Sequence, residues 1–295
     1  MRKLIHFLLS NTFIGLIIFS HTQCNDNLIA EEASYIEIEE FVYTGNTSTN
    51  IPHPNNHNSV NISDVWVSMD QQIVGVFELP CKIPVLTNGT HDLDIYPGIK
   101  VNGISGERIK YPFYEKYETD IVLNRDNSTK ITPHTSYTNQ TSYMFKEQGQ
   151  FEIAGTMLTQ TPLSDTTAII QNEIVFQGEH SAAIFLDSIN TYFDIRNIDN
   201  FSLTNNNVFL ELNFKSNIDF NVGIVIINGS NLEQKEELIQ LYATDNWKKI
   251  YLDLSPLIGM GTIFSTFQIY FEGNYNNNHI LNAVYLDNLK LVFNK

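Results

Sequence analysis

Cysteine is nearly absent from this chain of 295 residues, which contains two cysteines, Cys24 and Cys81. Two cysteines cannot form a disulfide framework or a thiolate-based zinc site, so small domains held together in either way are excluded. Cys81 follows Leu79-Pro80 and precedes Ile83, and these apolar neighbours favour a buried, unreactive thiol.

Basic residues are scarce as well. The chain has 17 Lys and Arg residues against 33 Asp and Glu residues, which gives a formal net charge of −16. Such a surface repels phosphate backbones, so nucleic acid is not an expected partner. Apolar residues are plentiful, at 42% hydrophobic and 12% aromatic, and this excludes disorder along the whole chain.

Catalytic motifs are also missing. The sequence contains no Gly-x-Ser-x-Gly elbow, no phosphate-binding loop and no dinucleotide fingerprint. Its 8 His residues show no metal-ligand spacing. A glycan hydrolase would need two carboxylates about 5 to 9 Å apart across a cleft, and sequence alone cannot place any two acids in that way. We therefore predict a protein without enzymatic activity.

Residues 1–24 have the features of an export signal. Two basic residues precede the mostly apolar segment 4–19, which is too short and too interrupted to cross a bilayer. A single cysteine, Cys24, follows it. This arrangement resembles a bacterial lipoprotein signal, in which the cysteine is acylated, although His21 and Gln23 depart from the usual pattern. The alternative is an ordinary cleaved signal peptide.

Residues 25–34 are acidic and contain no basic residue. They resemble the acidic tether that follows the lipidated cysteine in lipoproteins of Bacteroidota, where it directs export to the cell surface. A flexible, solvated linker is the alternative. The resemblance implies an outer-membrane lipoprotein, anchored to the membrane by lipid on Cys24 and exposed at the surface.

Residues 35–125 have the pattern of a small β-sandwich. Segments 64–69 and 73–79 are strand-like, and the residues between them, 70–72, are few enough for a hairpin. Asn88-Gly89 predicts a tight turn. Together with 97–104 and 111–114, these segments resemble PEGA-type and carboxypeptidase-regulatory-type domains of an uncharacterised family of Bacteroidota envelope lipoproteins.

The polar residues 126–150 predict a linker, and the remainder, 151–295, shows regularly spaced strands. Segment 232–241 is the one in which helix and strand patterns compete. Segments 178–182, 246–254, 267–271 and 284–292 resemble carbohydrate-binding modules of the β-jelly-roll kind. The predicted fold class is therefore all-β, a small β-sandwich followed by a β-jelly-roll sandwich.

Tyrosines of the second domain are candidates for a sugar platform, because pyranose rings stack on exposed aromatic faces. Alternation turns Tyr251, Tyr270 and Tyr285 away from the predicted core, together with Gln268. The alternative is that these tyrosines are ordinary half-exposed strand residues. Trp247, at the start of its strand, is interpreted as a core residue.

Many modules of the resembled kind carry a structural calcium between the first and last strands. The resemblance implies Glu152 and Asp287 as two carboxylate ligands, and carboxylate oxygens suit calcium. The alternative is that both are ordinary surface or turn acids.

The function predicted from these observations is a non-enzymatic envelope lipoprotein whose C-terminal domain binds glycan or a partner protein. A structural or accessory subunit of an outer-membrane assembly is the alternative, and a glycan-active hydrolase is the least favoured hypothesis.

Overall fold

The computed structural model describes residues 32–45, 59–145, 148–153, 155–204 and 207–295. Residues 1–31 are not among them, so the predicted signal, Cys24 and most of the predicted tether lie outside the described residues. Nearly all of the regular secondary structure in the described residues is β-strand, which confirms the predicted all-β fold class. Among these residues no helix is long and apolar enough to cross a membrane.

The N-terminal strands form a small sandwich. They are β1 (Ser34–Ile38), β2 (Val42–Tyr43), β3 (Asp64–Met69), β4 (Gln72–Glu78), β5 (Cys81–Val85), β6 (Gly89–Lys100), β7 (Arg108–Lys110), β8 (Tyr117–Leu123), β9 (Ser128–Ile131) and β10 (His134–Thr135). Sheet A has the order β5-β1-β9, and sheet B has the order β4-β3-β6-β7 with β8 paired to β6. Alternating apolar residues of the two sheets, including Ile36, Val67 and Ile95, form its core.

The β3–β4 connection is the predicted hairpin. Its two turn residues, Asp70 and Gln71, have φ angles of 49° and 65°, the conformation of a type I′ turn, whose twist matches that of the paired strands. The other predicted turn, at Asn88-Gly89, places Gly89 at φ 100°, which a glycine adopts without strain.

Residues 126–150 differ from the predicted linker, because much of this segment lies in sheets. Strand β9 pairs in parallel with β1, and β10 pairs in parallel with β2. Farther on, β11 (Thr141–Met144) pairs with the last strand of the chain. Short polar strands at sheet edges need few apolar side chains, because the neighbouring strand satisfies their backbone groups. Composition therefore gave no sign of them.

The C-terminal strands form a larger sandwich. They are β12 (Leu158–Gln160), β13 (Ala168–Gln171), β14 (Ser181–Leu186), β15 (Tyr192–Asn197), β16 (Val208–Ser216), β17 (Phe220–Ile227), β18 (Glu233–Leu241), β19 (Thr244–Asp253), β20 (Thr266–Asn274) and β21 (Asn282–Asn294). Sheet C has the order β13-β14-β21-β16-β19 with β11 added to β21, and sheet D has the order β12-β15-β20-β17-β18. A 3-10 turn, Gln148–Gln150, and a single α-helical turn, Ser255–Ile258, complete the described elements.

One apolar core lies between sheets C and D. It takes alternate residues from facing strands, for example Leu210 and Leu212 of β16 and Ile224 of β17. All of the ambiguous segment 232–241 except its first residue forms strand β18, which pairs with β17 along its length. This pairing decides between the two patterns in favour of the strand.

The two sandwiches share a third core, mostly aromatic, at their junction. Tyr111, Phe113 and Tyr114 from the first sandwich pack against Phe209 and Tyr251 on the outer face of sheet C. Ring centroids in this group lie 4.8 to 6.4 Å apart at steep angles, as edge-to-face packing requires. The junction is therefore a packed interior rather than a flexible connection.

A buried charge lies within this junction. Glu211 is fully buried and accepts hydrogen bonds from the hydroxyls of Tyr111 and Tyr137, both at 2.7 Å. The ammonium groups of Lys249 and Lys290 lie 2.8 and 3.3 Å from its carboxylate. Burial opposes its ionisation, but the two lysines outweigh burial and hold the pKa of Glu211 well below its ordinary value. The carboxylate is thus ionised and balanced inside the junction.

Candidate functional site

Tyr251 points away from the sandwich core, as alternation predicts, but it is not accessible. Its neighbours Ile250 and Leu252 lie in the core between the sheets, while the Tyr251 ring lies in the junction and is 1% exposed. Its hydroxyl lies 3.1 Å from that of Tyr114 and accepts a hydrogen bond from a backbone N–H of the first sandwich. The prediction of a sugar platform at Tyr251 is wrong, because the N-terminal sandwich covers this part of the face.

Tyr270 is also inaccessible and lies on the opposite sheet from Tyr251. It is 2% exposed, with the Lys235 ammonium 4.2 Å from its ring centroid. Its ring lies over Gly223, where a Cβ atom would come within 2.7 Å of it. Gln268, on the same strand, donates a hydrogen bond to the Asn197 carbonyl at 2.9 Å. The predicted residues are therefore divided between two sheets and form no common patch.

The outer face of sheet D around Tyr270 carries a network of ion pairs and hydrogen bonds. Lys235 lies 3.1 Å from Asp194 and 2.7 Å from Glu272, while the Tyr192 hydroxyl donates to Glu272 at 2.7 Å. Most of these polar groups already have partners within the protein, although the Asp194 Oδ1 atom has no hydrogen-bond partner among the described residues. A sugar hydroxyl arriving here would have to displace existing bonds, which makes the face a poor binding surface.

Tyr285 is the one predicted tyrosine that remains accessible, and it belongs to a row of aromatic rings. Ring centroids lie 5.8 Å apart for Phe176 and Trp247, 6.4 Å for Trp247 and Tyr285, and 6.0 Å for Tyr285 and Phe185. Phe176 is 40% exposed, and the other three rings are partly exposed. We call these four residues the aromatic strip. It lies on the part of sheet C that the first sandwich leaves uncovered.

A cleft of about 660 Å³ adjoins the aromatic strip. Phe176 and Trp247 line it, together with residues of β18, of β19 and of the first sandwich. Four side-chain amides also line the cleft, those of Asn61, Asn102, Asn213 and Gln240. An open cleft with aromatic walls and amide groups has the chemistry for binding saccharides, which present C–H faces and hydroxyl edges.

One cleft donor has no partner among the described residues. Asn213 is 1% exposed, and its Oδ1 atom accepts a hydrogen bond from the Ser59 hydroxyl at 2.6 Å. Its Nδ2 atom is buried without a hydrogen-bond acceptor in the described part of the chain. A buried donor of this kind costs free energy unless water or a ligand accepts from it.

Sequence reasoning missed the importance of Trp247 and Phe176. Trp247 was interpreted as a core residue, yet its ring lies beside Phe176 and Tyr285 and lines the cleft. Strand alternation supplies the signal that finds Trp247. Residues 247, 249 and 251 share one face of the strand, and because Tyr251 is predicted to face outward, Trp247 must face outward as well. Phe176 lies in a turn, where periodicity carries no information.

Glu152 and Asp287 do come together, on the turn formed by residues 176–180. Asp287 Oδ2 accepts hydrogen bonds from two consecutive backbone N–H groups of this turn, both at 3.1 Å. Glu152 Oε1 accepts two more, at 2.9 and 3.2 Å. Gly178 lies between them, and a Cβ atom there would come within 2.1 Å of the Glu152 carboxylate. The two acids therefore clasp the turn that carries Phe176.

The environment of Asp287 suits a cation. Asp287 shares the outer face of β21 with Tyr285, directly before a bulge at Asn288 (φ 50°), and it is fully buried there. Burial raises its pKa to about 7, outweighing the backbone hydrogen bonds that lower it. Asn288 Oδ1 is a buried oxygen with no hydrogen-bond partner among the described residues. The donors fit calcium in type, although no cluster of three His, Cys, Asp or Glu residues occurs in the described ranges.

No family model matches this chain, and no curated protein matches it in sequence. Solved carbohydrate-binding modules resemble it in structure. The C-terminal family 22 module of Clostridium thermocellum Xyn10B is 12% identical with a TM-score of 0.34, over 50% of this chain and 96% of that chain. The CBM22-1 xylan-binding domain of Paenibacillus barcinonensis Xyn10C is 14% identical with a TM-score of 0.34, over 50% and 92%.

A third structure, of carbohydrate-binding modules from the β-sandwich superfamily, is 13% identical with a TM-score of 0.35. That similarity covers 78% of this chain and 84% of the other. All three similarities concern fold alone.

Proposed function

We propose that this protein is a non-catalytic carbohydrate-binding protein that holds a saccharide on the aromatic strip and in the adjoining cleft. The observation that carries the proposal is the row of partly exposed rings, Phe176, Trp247 and Tyr285, beside a cleft of about 660 Å³ that amide side chains line. The rings supply stacking surfaces for sugar C–H faces. The amides supply donors and acceptors for sugar hydroxyls.

A glycan array followed by calorimetry tests this proposal. We expect Trp247→Ala to weaken binding of an array hit at least about tenfold, because it removes the central ring of the strip. Phe264→Ala is the matched control, since Phe264 is an aromatic residue 75% exposed on a loop that does not line the cleft. An array without hits would count against glycan binding, and full binding by the Trp247 variant would place the site elsewhere.

Absence of catalysis is part of the proposal and has its own test. We expect no new reducing ends when the protein is incubated with any glycan that it binds. Release of shorter sugars at a rate that scales with protein concentration would instead favour the hydrolase hypothesis.

The envelope location is proposed from residues 1–24 alone. Under this proposal Cys24 carries lipid and tethers the two sandwiches to the outer membrane. Intact mass of the protein purified from its native host should show a missing leader and an acylated cysteine. An unmodified sulfur with the apolar segment still attached would remove this part of the proposal, and co-purification with a large membrane complex would favour the accessory-subunit hypothesis.

Calcium at the clasp is a further proposal, supported by the donor chemistry there. Glu152, Asp287 and the Asn288 side-chain oxygen would hold the ion, which would neutralise the buried carboxylate and fix the turn. We expect calcium chloride, but not magnesium chloride, to raise the melting temperature after treatment with EDTA. Asp287→Asn should abolish the effect, and an unchanged melting temperature in the wild-type protein would exclude the site.

A further inference from the structure

We propose that the cleft beside the aromatic strip takes an acidic saccharide, one whose rings carry carboxylate or sulfate groups. This inference rests on the proposed function, because it names the chemical class of ligand for the same site. Three observations carry it: the charges that line the cleft, one unpaired lysine in the cleft and another beside the strip, and the contrast with the rest of the molecule.

The cleft is lined by lysines and by no acid among the described residues. Lys100, Lys248 and Lys249 contribute to its walls, and no Asp or Glu does. In the whole chain the acids outnumber Lys and Arg by 33 to 17. The local sign of charge is therefore opposite to that of the molecule.

Two of these lysines are neutralised by acids that do not line the cleft. The Lys100 ammonium lies 2.6 Å from a Glu78 carboxylate oxygen, and that of Lys249 lies 2.8 Å from Glu211. Lys248 is exposed and forms no ion pair with any acid in the described part of the chain. Its positive charge is left for a ligand or for solvent.

A second free lysine lies along the strip. Lys215 of β16 is in register with Tyr285 of β21, and alternation places it on the same outer face of sheet C. It is partly exposed and has no ion-pair partner among the acids that the structure describes. Lys248 follows Trp247 directly along β19. One uncompensated ammonium group therefore lies beside Tyr285 on the strip, and the other lines the cleft from the face of β19 opposite to Trp247.

An acidic sugar uses all of these features together. Its ring stacks on Trp247 or Tyr285, and its carboxylate or sulfate accepts charge-assisted hydrogen bonds from Lys215 or Lys248. The buried Asn213 Nδ2 donor, which lacks an acceptor among the described residues, supplies a further bond. A neutral sugar would leave both ammonium groups without a partner.

Paired probes test the inference with the full-length protein. Oligogalacturonate is compared with its fully methyl-esterified form, which keeps the backbone and removes the charge, and a heparin oligosaccharide is compared with its desulfated form. Calorimetry should give about tenfold weaker binding for the neutralised member of whichever pair binds. The two pairs distinguish carboxylate from sulfate as the recognised group.

Variants separate this inference from the proposed function. Lys248→Gln should weaken binding of the charged probe about tenfold more than that of its neutral counterpart, whereas Trp247→Ala should weaken both alike. Lys110→Gln, a change at an exposed lysine outside the cleft, is the matched control. If the charged and neutral probes bind equally well and Trp247→Ala weakens both, the acidic class of ligand is overturned and the proposed saccharide site is retained. Glycan binding that is indifferent to Trp247, or no binding at all, overturns both.

Discussion

Asp287 shows how one buried carboxylate can organise a functional turn. Its burial raises its pKa to about 7, and its hydrogen bonds hold two backbone N–H groups of the turn that presents Phe176. The state of this carboxylate is therefore linked to the position of an aromatic residue in the candidate site. Because the folded pKa lies above the ordinary value of 3.8, the folded protein binds a proton between these two pH values that the unfolded chain releases.

Stability of the calcium-free protein should therefore fall as pH rises through the range from about 4 to about 7. We expect Asp287→Asn to remove this part of the pH dependence, because the amide does not titrate and its oxygen can still accept from the turn. The difference in unfolding free energy between the two proteins should change across that range by up to about 4 kcal/mol. Urea melts in EDTA at several pH values measure it.

Asp120→Asn is the control for that comparison, since Asp120 is exposed and its loss should leave the pH dependence close to that of the wild-type protein. Parallel stability curves for the wild type and the Asp287 variant would show that the carboxylate stays ionised in the folded protein, contrary to our expectation.

Direction of side chains along a strand could be predicted from sequence, but exposure could not. Tyr251 does leave the core of its own sandwich, as alternation predicts, and is then covered by Tyr111 and Tyr114 of the other sandwich. Trp247, four residues earlier on the same face, lies beyond that cover. The difference arises from contacts between residues more than a hundred positions apart, which periodicity within one strand does not contain.

At the scale of elements, the positions of two turns could be predicted from the local sequence, whereas short edge strands could not. The short connection at Asp70-Gln71 and the Asn88-Gly89 dipeptide both join strands where the sequence predicts turns, and Asp70, Gln71 and Gly89 have positive φ angles. Strands β9 and β11 were not predicted, because their polar residues form edge strands whose stability depends on partners far along the chain. The bulge at Asn288, which returns Leu289 and Leu291 to the core face, has no sequence signature of its own.

The β3–β4 hairpin provides a test of turn chemistry at this scale. Gln71 has φ 65°, a left-handed conformation that glycine adopts without a Cβ clash. We expect Gln71→Gly to stabilise the protein by about 1 kcal/mol in urea melts. Gln72→Gly, one residue later within strand β4, should instead destabilise it by about 0.5 to 1 kcal/mol. Equal effects of the two changes would contradict the assigned turn.

At the scale of the whole molecule, the junction makes the two sandwiches one unit. A shared aromatic core and the balanced Glu211–Lys249–Lys290 cluster connect them, and Val101 also pairs with Tyr251 through a parallel bridge. The candidate site depends on this junction, because its cleft takes walls from both sandwiches. Relative motion of the sandwiches would change the cleft, so the junction fixes the shape of the cleft.

Unfolding should therefore be a single cooperative transition that depends on Glu211. The chain has two tryptophans, and Trp66 lies in the first sandwich while Trp247 lies in the second. Fluorescence of the single-tryptophan variants Trp66→Phe and Trp247→Phe reports on each sandwich separately. With Glu211 present, we expect both probes to give the same urea midpoint.

Glu211→Gln, added to each single-tryptophan variant, should lower stability by about 3 to 5 kcal/mol and separate the two midpoints. The change leaves the buried Lys249 and the partly buried Lys290 without a counter-charge, and an unpaired buried charge is far more costly than the pair. Glu233→Gln is the control, because Glu233 is half-exposed and pairs with Arg196 on the surface, where loss of an ion pair costs about 1 kcal/mol or less. Midpoints that already differ with Glu211 in place would mean that the junction does not couple the sandwiches. Midpoints that stay together after its loss would assign the coupling to the aromatic core alone.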